Sequence, residues 1–90
     1  MYTLVATTTF TAKTHRLTQG NKTLQKQLQK TLILLQTDPY YPGLKTHKVA
    51  GYRSSRVSGD IRIIWEFDPN GRVTILLLTI GEHSGADKVY

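Results

Sequence analysis

Residues 52–80 read YRSSRVSGDIRIIWEFDPNGRVTILLLTI, from Tyr52 to Ile80. Two turn signals divide this stretch. Asp68-Pro69-Asn70-Gly71 puts Pro where its fixed φ suits the second turn position, with Asn and Gly after it. Ser58-Gly59, with Asp60 beside it, is the weaker signal, because it lacks the Asn or Asp that a tight two-residue loop favours. Three antiparallel strands are therefore expected between Tyr52 and Ile80.

The register of the first turn decides which side chains share a face, since a one-residue slip inverts a strand. A two-residue loop would set Arg56 against Ile61 and on the face of Ile63 and Trp65. A three-residue loop sets Val57 against Ile61 and Arg56 against Arg62. The second arrangement gathers Val57, Ile61, Ile63, Trp65 and Phe67 on one apolar face. Tyr52, Ser54, Arg56, Arg62, Ile64 and Glu66 then share the other. It is preferred because an unpaired guanidinium is very costly to bury. The last strand, Val73 to Ile80, is nearly continuous in apolar residues, which suits a central position in the sheet.

Working outward, Tyr2–Thr7 alternates Leu4 and Ala6 with Thr3, Val5 and Thr7, and its β-branched content predicts a strand. Thr8 or Thr9 can cap a following helix, in which Phe10 and Leu17 lie two turns apart and face the sheet. Gln19-Gly20-Asn21 breaks this helix, and Asn21 caps a second that runs from about Lys22 to Gln36. Leu24, Leu28, Leu32 and Leu35 form its core stripe, and Asp38-Pro39 stops it. The run Leu32–Leu35 is wider than that stripe needs, so the first helix or a partner is expected to cover part of it. Tyr40–Gly51 reads as a loop or short irregular strand carrying Lys45, His47 and Lys48. The expected fold is α+β, in the order β-α-α-β-β-β. It is an antiparallel twisted sheet with a two-helix hairpin packed on one face.

Ninety residues make one small domain, residues 1–90. There is no cysteine, so disulfides and thiolate metal sites are excluded. No apolar run approaches membrane-spanning length, and MYTLVATTTF lacks the charged start and long apolar centre of a signal peptide. A cytoplasmic protein is expected. The net charge of +6 is unevenly spread: residues 1–56 carry nine Lys/Arg against Asp38 alone, and residues 57–90 carry three against five acids. Such asymmetry suits a polyanion-binding surface.

His15, His47 and His83 lack ligand-type spacing, and neither a dinucleotide-binding glycine pattern nor a P-loop is present. No cofactor is expected. With helices on the apolar face, a concave site is expected on the other, built from Lys45, Lys48, Arg53, Arg56, Arg62, His83 and Tyr90. Cations, an imidazole and a phenol with few carboxylates suit an RNA phosphodiester. Guanidinium groups hold phosphate and stabilise charge gained at the transition state. Histidine moves protons near neutral pH, and Tyr stacks on a base or assists proton transfer.

In YRSSRVSGDIRIIWEF, VTILLLTIG and the closing GEHSGADKVY, the chain resembles the RelE/ParE superfamily of bacterial type II toxins, closer to its RelE/YafQ-like mRNA interferase branch. The resemblance covers nearly the whole chain. It implies a compact sheet with two helices on one face and a toxin neutralised by a cognate antitoxin protein. In the ribonuclease branch, mRNA is cut in the ribosomal A site without metal, by attack of the ribose 2′-hydroxyl on the adjacent phosphate. Under this resemblance Arg56 faces substrate, Arg62 contacts the scissile phosphate and Asp60 is the acid at the hairpin turn. His83 and Tyr90 are the closing histidine and aromatic, and Lys45 and Lys48 hold RNA backbone. Between His83 and Tyr90 the chain carries a couple of extra residues, including Gly85 and Ala86, relative to the family's usual close. His47 is read as a surface residue and only a reserve acid or base. Two other functions are compatible with these residues: a ParE-like gyrase inhibitor without nuclease chemistry, and an inactive RNA- or antitoxin-binding module.

Overall fold

Thr7 begins the helical part of the molecule by capping it. Its hydroxyl oxygen accepts from the Phe10 amide at 3.1 Å and reaches the carbonyls of Leu77 and Leu78 at 2.9 and 2.8 Å. One side chain thus starts a helix and pins it to a strand. Thr7 takes this role rather than Thr8 or Thr9, because only Thr7 lies at the strand end next to those carbonyls. The computed structural model describes residues 1–82, and for Arg72 the backbone only. The elements are β1 (Thr3–Ala6), α1 (Thr8–Thr18), α2 (Lys22–Thr37), a 3-10 turn (Pro42–Leu44), β2 (His47–Val49), β3 (Tyr52–Ser58), β4 (Ile61–Asp68) and β5 (Gly71–Glu82). Asn21 caps α2, its side chain accepting from the Leu24 amide at 3.0 Å. The Gln25 side-chain amide donates to the Thr18 carbonyl at 2.9 Å and ties the two helices together.

The strand order is β1-β5-β4-β3-β2, so β5 and β4 are central. The sheet differs from expectation in two ways. It has five strands, because His47–Val49 pairs with Tyr52–Ser54. It is also mixed rather than wholly antiparallel, because β1 runs parallel to β5, with Leu4 opposite Ile75 and Ala6 opposite Leu77. The alternation of a short strand sets its face but not its direction. Direction here follows from long-range ties: the Tyr2 amide donates to the Gln36 carbonyl, and the Thr7 amide to that of Leu77.

The first hairpin turn reconciles the two registers considered above. The loop is two residues, Gly59-Asp60, with Ser58 opposite Ile61. Gly59 has φ +49°, the glycine-first form of a two-residue loop. A bulge between Arg56 and Ser58 absorbs the extra residue, so Arg56 still lies opposite Arg62. Ser58, not Val57, therefore faces Ile61, while Val57 still packs on the core. In the second turn the Asn70 amide donates to Asp68 Oδ1 at 2.9 Å, and Asp68 pairs with Gly71.

The core lies between one sheet face and the helices. It joins Ile63, Trp65, Ile75, Leu77 and Ile80 to Phe10, Leu28, Leu35 and Leu44. Ile80 returns to the face of Ile75 and Leu77 because a second bulge falls between the pairs Ile64–Thr79 and Trp65–Leu77. Ile33 stays 56% exposed, so nothing among the described residues covers that part of the wide apolar run on α2. No helix among the described residues is long and apolar enough to cross a membrane.

Candidate nucleic-acid interface

Residues directly opposed in a ladder share a face. Arg56 and Arg62 are opposed on neighbouring strands, and Ser54–Ile64 is the next pair on the same face. His47 is opposed to Ser54, and Thr79 to Ile64. One row thus reads His47, Ser54, Ile64, Thr79 across four strands, beside the row that holds Arg56 and Arg62. From strand spacing and rise, the His47 Cα lies about 8 Å from that of Arg56 and about 12 Å from that of Arg62. Long side chains close much of such a gap. The structure therefore brings His47 to the arginine face, a placement that sequence reasoning did not make. The turn responsible is Ala50-Gly51, with φ +51° and +87°. Positive φ at both positions is the primed hairpin geometry, which Asn-Gly would have announced and Ala-Gly does not.

This face is only partly open to solvent. Ser54 is wholly buried and Ile64 is 6% exposed, while Arg56, Arg62 and Glu66 around them are half-buried. The buried Ser54 hydroxyl has no hydrogen-bond partner among the described residues. Arg62 Nη1 donates to the Gly59 carbonyl at 3.1 Å, so the guanidinium is held against its own hairpin turn. Asp60 sits in that turn, half-buried. Arg56 forms no hydrogen bond or ion pair with a described residue. At the bulge it also borders a cavity shared with Val57 on the helix side.

Two residues expected on this face belong to the other. Arg53 lies opposite Trp65, and Lys48 lies opposite Arg53. The Arg53 guanidinium carbon stands 5.8 Å from the Trp65 ring centroid and 4.9 Å from that of Phe67. Its Nε donates to the Tyr40 hydroxyl at 2.8 Å. The side chain closes the aromatic end of the core by cation–π contact and does not join Arg56 and Arg62. The same alternation that pairs Arg56 with Arg62 turns Arg53 and Lys48 away. Lys45 is exposed at the end of the 3-10 turn, with φ +50°. Its carbonyl lies 3.0 Å from His47 Nδ1. His83 and Tyr90 lie outside the described residues.

The loop that delivers Lys45 and His47 is fastened by a buried chain of hydrogen bonds. The Trp65 indole N–H donates to Ser55 Oγ at 2.8 Å, and Ser55 Oγ lies 2.7 Å from Thr46 Oγ1. Thr46 Oγ1 donates to the Pro39 carbonyl at 2.7 Å. A hydroxyl has one proton, so Thr46 spends its own on Pro39 and Ser55 donates to Thr46. Every link then has one direction, from the core tryptophan to the loop. Among the described residues, no three His, Asp or Glu side chains gather in a way that could hold a metal ion.

The fold matches solved toxin structures over nearly the whole chain. A metal-bound toxin from Helicobacter pylori superposes with a TM-score of 0.75 at 24% identity, covering 92% of this chain and 96% of that one. The toxin of the Escherichia coli DinJ–YafQ toxin–antitoxin complex gives 0.70 at 19%, covering 91% and 92%. A YoeB/ParE toxin from Agrobacterium tumefaciens gives 0.72 at 15%, covering 91% and 99%. No protein-family model and no curated protein sequence matches the chain. The fold is the RelE-like one that the sequence resemblance implied.

Proposed function

We propose that this chain is the toxin of a type II toxin–antitoxin pair, acting in the cytoplasm as a ribosome-dependent mRNA endonuclease. The observation that carries this reading is the opposed pair Arg56–Arg62, with His47 in the adjacent row, on the sheet face that the helices leave free. In this reading Arg62 and Arg56 grip the phosphate next to the cleaved bond and stabilise the charge that builds on its oxygens. His83 exchanges a proton with the reacting oxygens, and His47 is placed to be its counterpart. The ribose 2′-hydroxyl loses its proton and attacks the phosphorus, and the 5′-oxygen of the next nucleotide leaves with a proton. Products are a 2′,3′-cyclic phosphate and a 5′-hydroxyl end, so no cofactor is needed. Tyr90 stacks on a base, Asp60 holds the hairpin end, and Lys45 steers backbone phosphate. The antitoxin partner is supported by the DinJ–YafQ complex, whose toxin shares this fold.

A ParE-like action on gyrase is the competing function, since a YoeB/ParE toxin also shares the fold. Incubating the purified protein with programmed ribosomes, and separately with supercoiling gyrase, decides between them. The proposal expects mRNA cut in the A site and supercoiling intact. Gyrase inhibition without cleavage would replace it with the ParE-like function, and neither effect would leave an inactive binding module.

A further inference from the structure

Where β2 ends, the outer edge of β3 faces α2 and the 3-10 turn across a cavity of about 410 Å³. That volume is in the range of small-ligand sites, roughly 300–1,000 Å³. Lys30 and Arg56 both line it, no acidic residue among the described ones does, and neither cation has a hydrogen bond or ion pair with a described residue. Thr31, only 4% exposed, lines it as well. The far wall is different in kind. Leu34 and Leu44 are apolar, and Tyr41 lines the mouth at 46% exposure. The Tyr41 ring lies close over Gly43, where an added Cβ would meet ring carbons at 2.9 and 3.3 Å.

We propose that this cavity binds a nucleotide, with its phosphate monoester between Lys30 and Arg56 and its base against Leu34, Leu44 and Tyr41. Thr31 donates its hydroxyl proton to a phosphate oxygen. Charge-assisted contacts to phosphate are about twice as strong as neutral ones, and the apolar wall with an accessible aromatic ring suits a flat base better than a bare anion. The chemistry is shared by a free nucleoside monophosphate and by the phosphorylated end of an RNA strand. The bulge at Val57 disfavours the alternative of an added peptide strand, because bulges break the regular edge such pairing needs. The inference shares Arg56 with the nuclease reading, but it is tested by binding without cleavage, so the two fail separately.

The test is amide NMR of the full chain titrated with AMP, adenosine, inorganic phosphate and a 5′-phosphorylated trinucleotide, repeated on Lys30→Gln and Thr31→Val. AMP is expected to shift the amides of residues 27–34 and 41–44 with a dissociation constant below about 1 mM. Adenosine and phosphate bind at least about tenfold more weakly, and Lys30→Gln weakens AMP about tenfold, as for one lost charged hydrogen bond. Trinucleotide binding tighter than AMP identifies a strand end as the ligand, and weaker binding identifies the free nucleotide. Four results would overturn the proposal: no saturable shift, shifts only on the arginine face, unchanged AMP affinity in both variants, or adenosine or phosphate binding as well as AMP.

Discussion

Two adjacent serines, both wholly buried, should respond oppositely to the same substitution. Ser55 is the middle link of the chain from Trp65 to Pro39; Ser54, on the other face, has no partner among the described residues. Ser55→Ala leaves the buried Trp65 N–H without an acceptor, which costs about 1–3 kcal/mol, and removes the Thr46 contact, worth about 0.5–1.5 kcal/mol. A loss of about 2–3 kcal/mol follows, and in a domain of this size that lowers Tm by roughly 10–20 °C. Ser54→Ala removes an unsatisfied hydroxyl instead and should be neutral or stabilising by up to about 1 kcal/mol. Urea unfolding followed by the fluorescence of Trp65, the chain's single tryptophan, measures both. Equal destabilisation by the two substitutions would refute the hydrogen-bond assignment. So would Ser55→Ala within about 0.5 kcal/mol of wild type.

Ala50 holds φ +51° in the β2–β3 turn, and a left-handed non-glycine residue costs roughly 1–2 kcal/mol. Ala50→Asn, which creates the Asn-Gly pair this turn favours, should therefore raise urea-unfolding stability by about 0.5–1 kcal/mol; a lower stability would contradict the turn assignment. Thr7→Ala removes both the α1 cap and the anchor to β5, and should cost about 1–2 kcal/mol. Thr7→Ser should recover most of that loss in the same titration, and failure to do so would show that the hydroxyl is not responsible.

Different forces explain why some elements were legible in the sequence and others were not. In β3 to β5, local signals agreed: period-two alternation, a Pro-Asn-Gly turn, and the cost of burying arginine. They placed Arg56 opposite Arg62 and Trp65 in the core. The Leu stripe and Asn21 did the same for α2. What escaped was set by single residues or by distant contacts. The bulge at Val57 shifts the ladder without changing composition, and the direction of β1 depends on carbonyls of Gln36 and Leu77 far along the chain. Arg53 and Lys48 were grouped with the site by charge, although the alternation that faces Ser54 and Arg56 one way sends Arg53 the other. His47 was missed because Ala50-Gly51 gives no hairpin signal, and without β2 it had no face to occupy.

The placement of cations on opposite sheet faces is tested most directly by mRNA cleavage. The measurement is the single-turnover rate on programmed ribosomes for wild type, Arg62→Ala and Arg53→Met, each corrected for its folded fraction. Arg62→Ala should slow cleavage about a hundredfold, as expected for a lost group that stabilises the transition state. Arg53→Met, altered only on the helix side, should stay within about threefold of wild type. Equal losses in both variants, or cleavage by Arg62→Ala at the wild-type rate, would contradict the account.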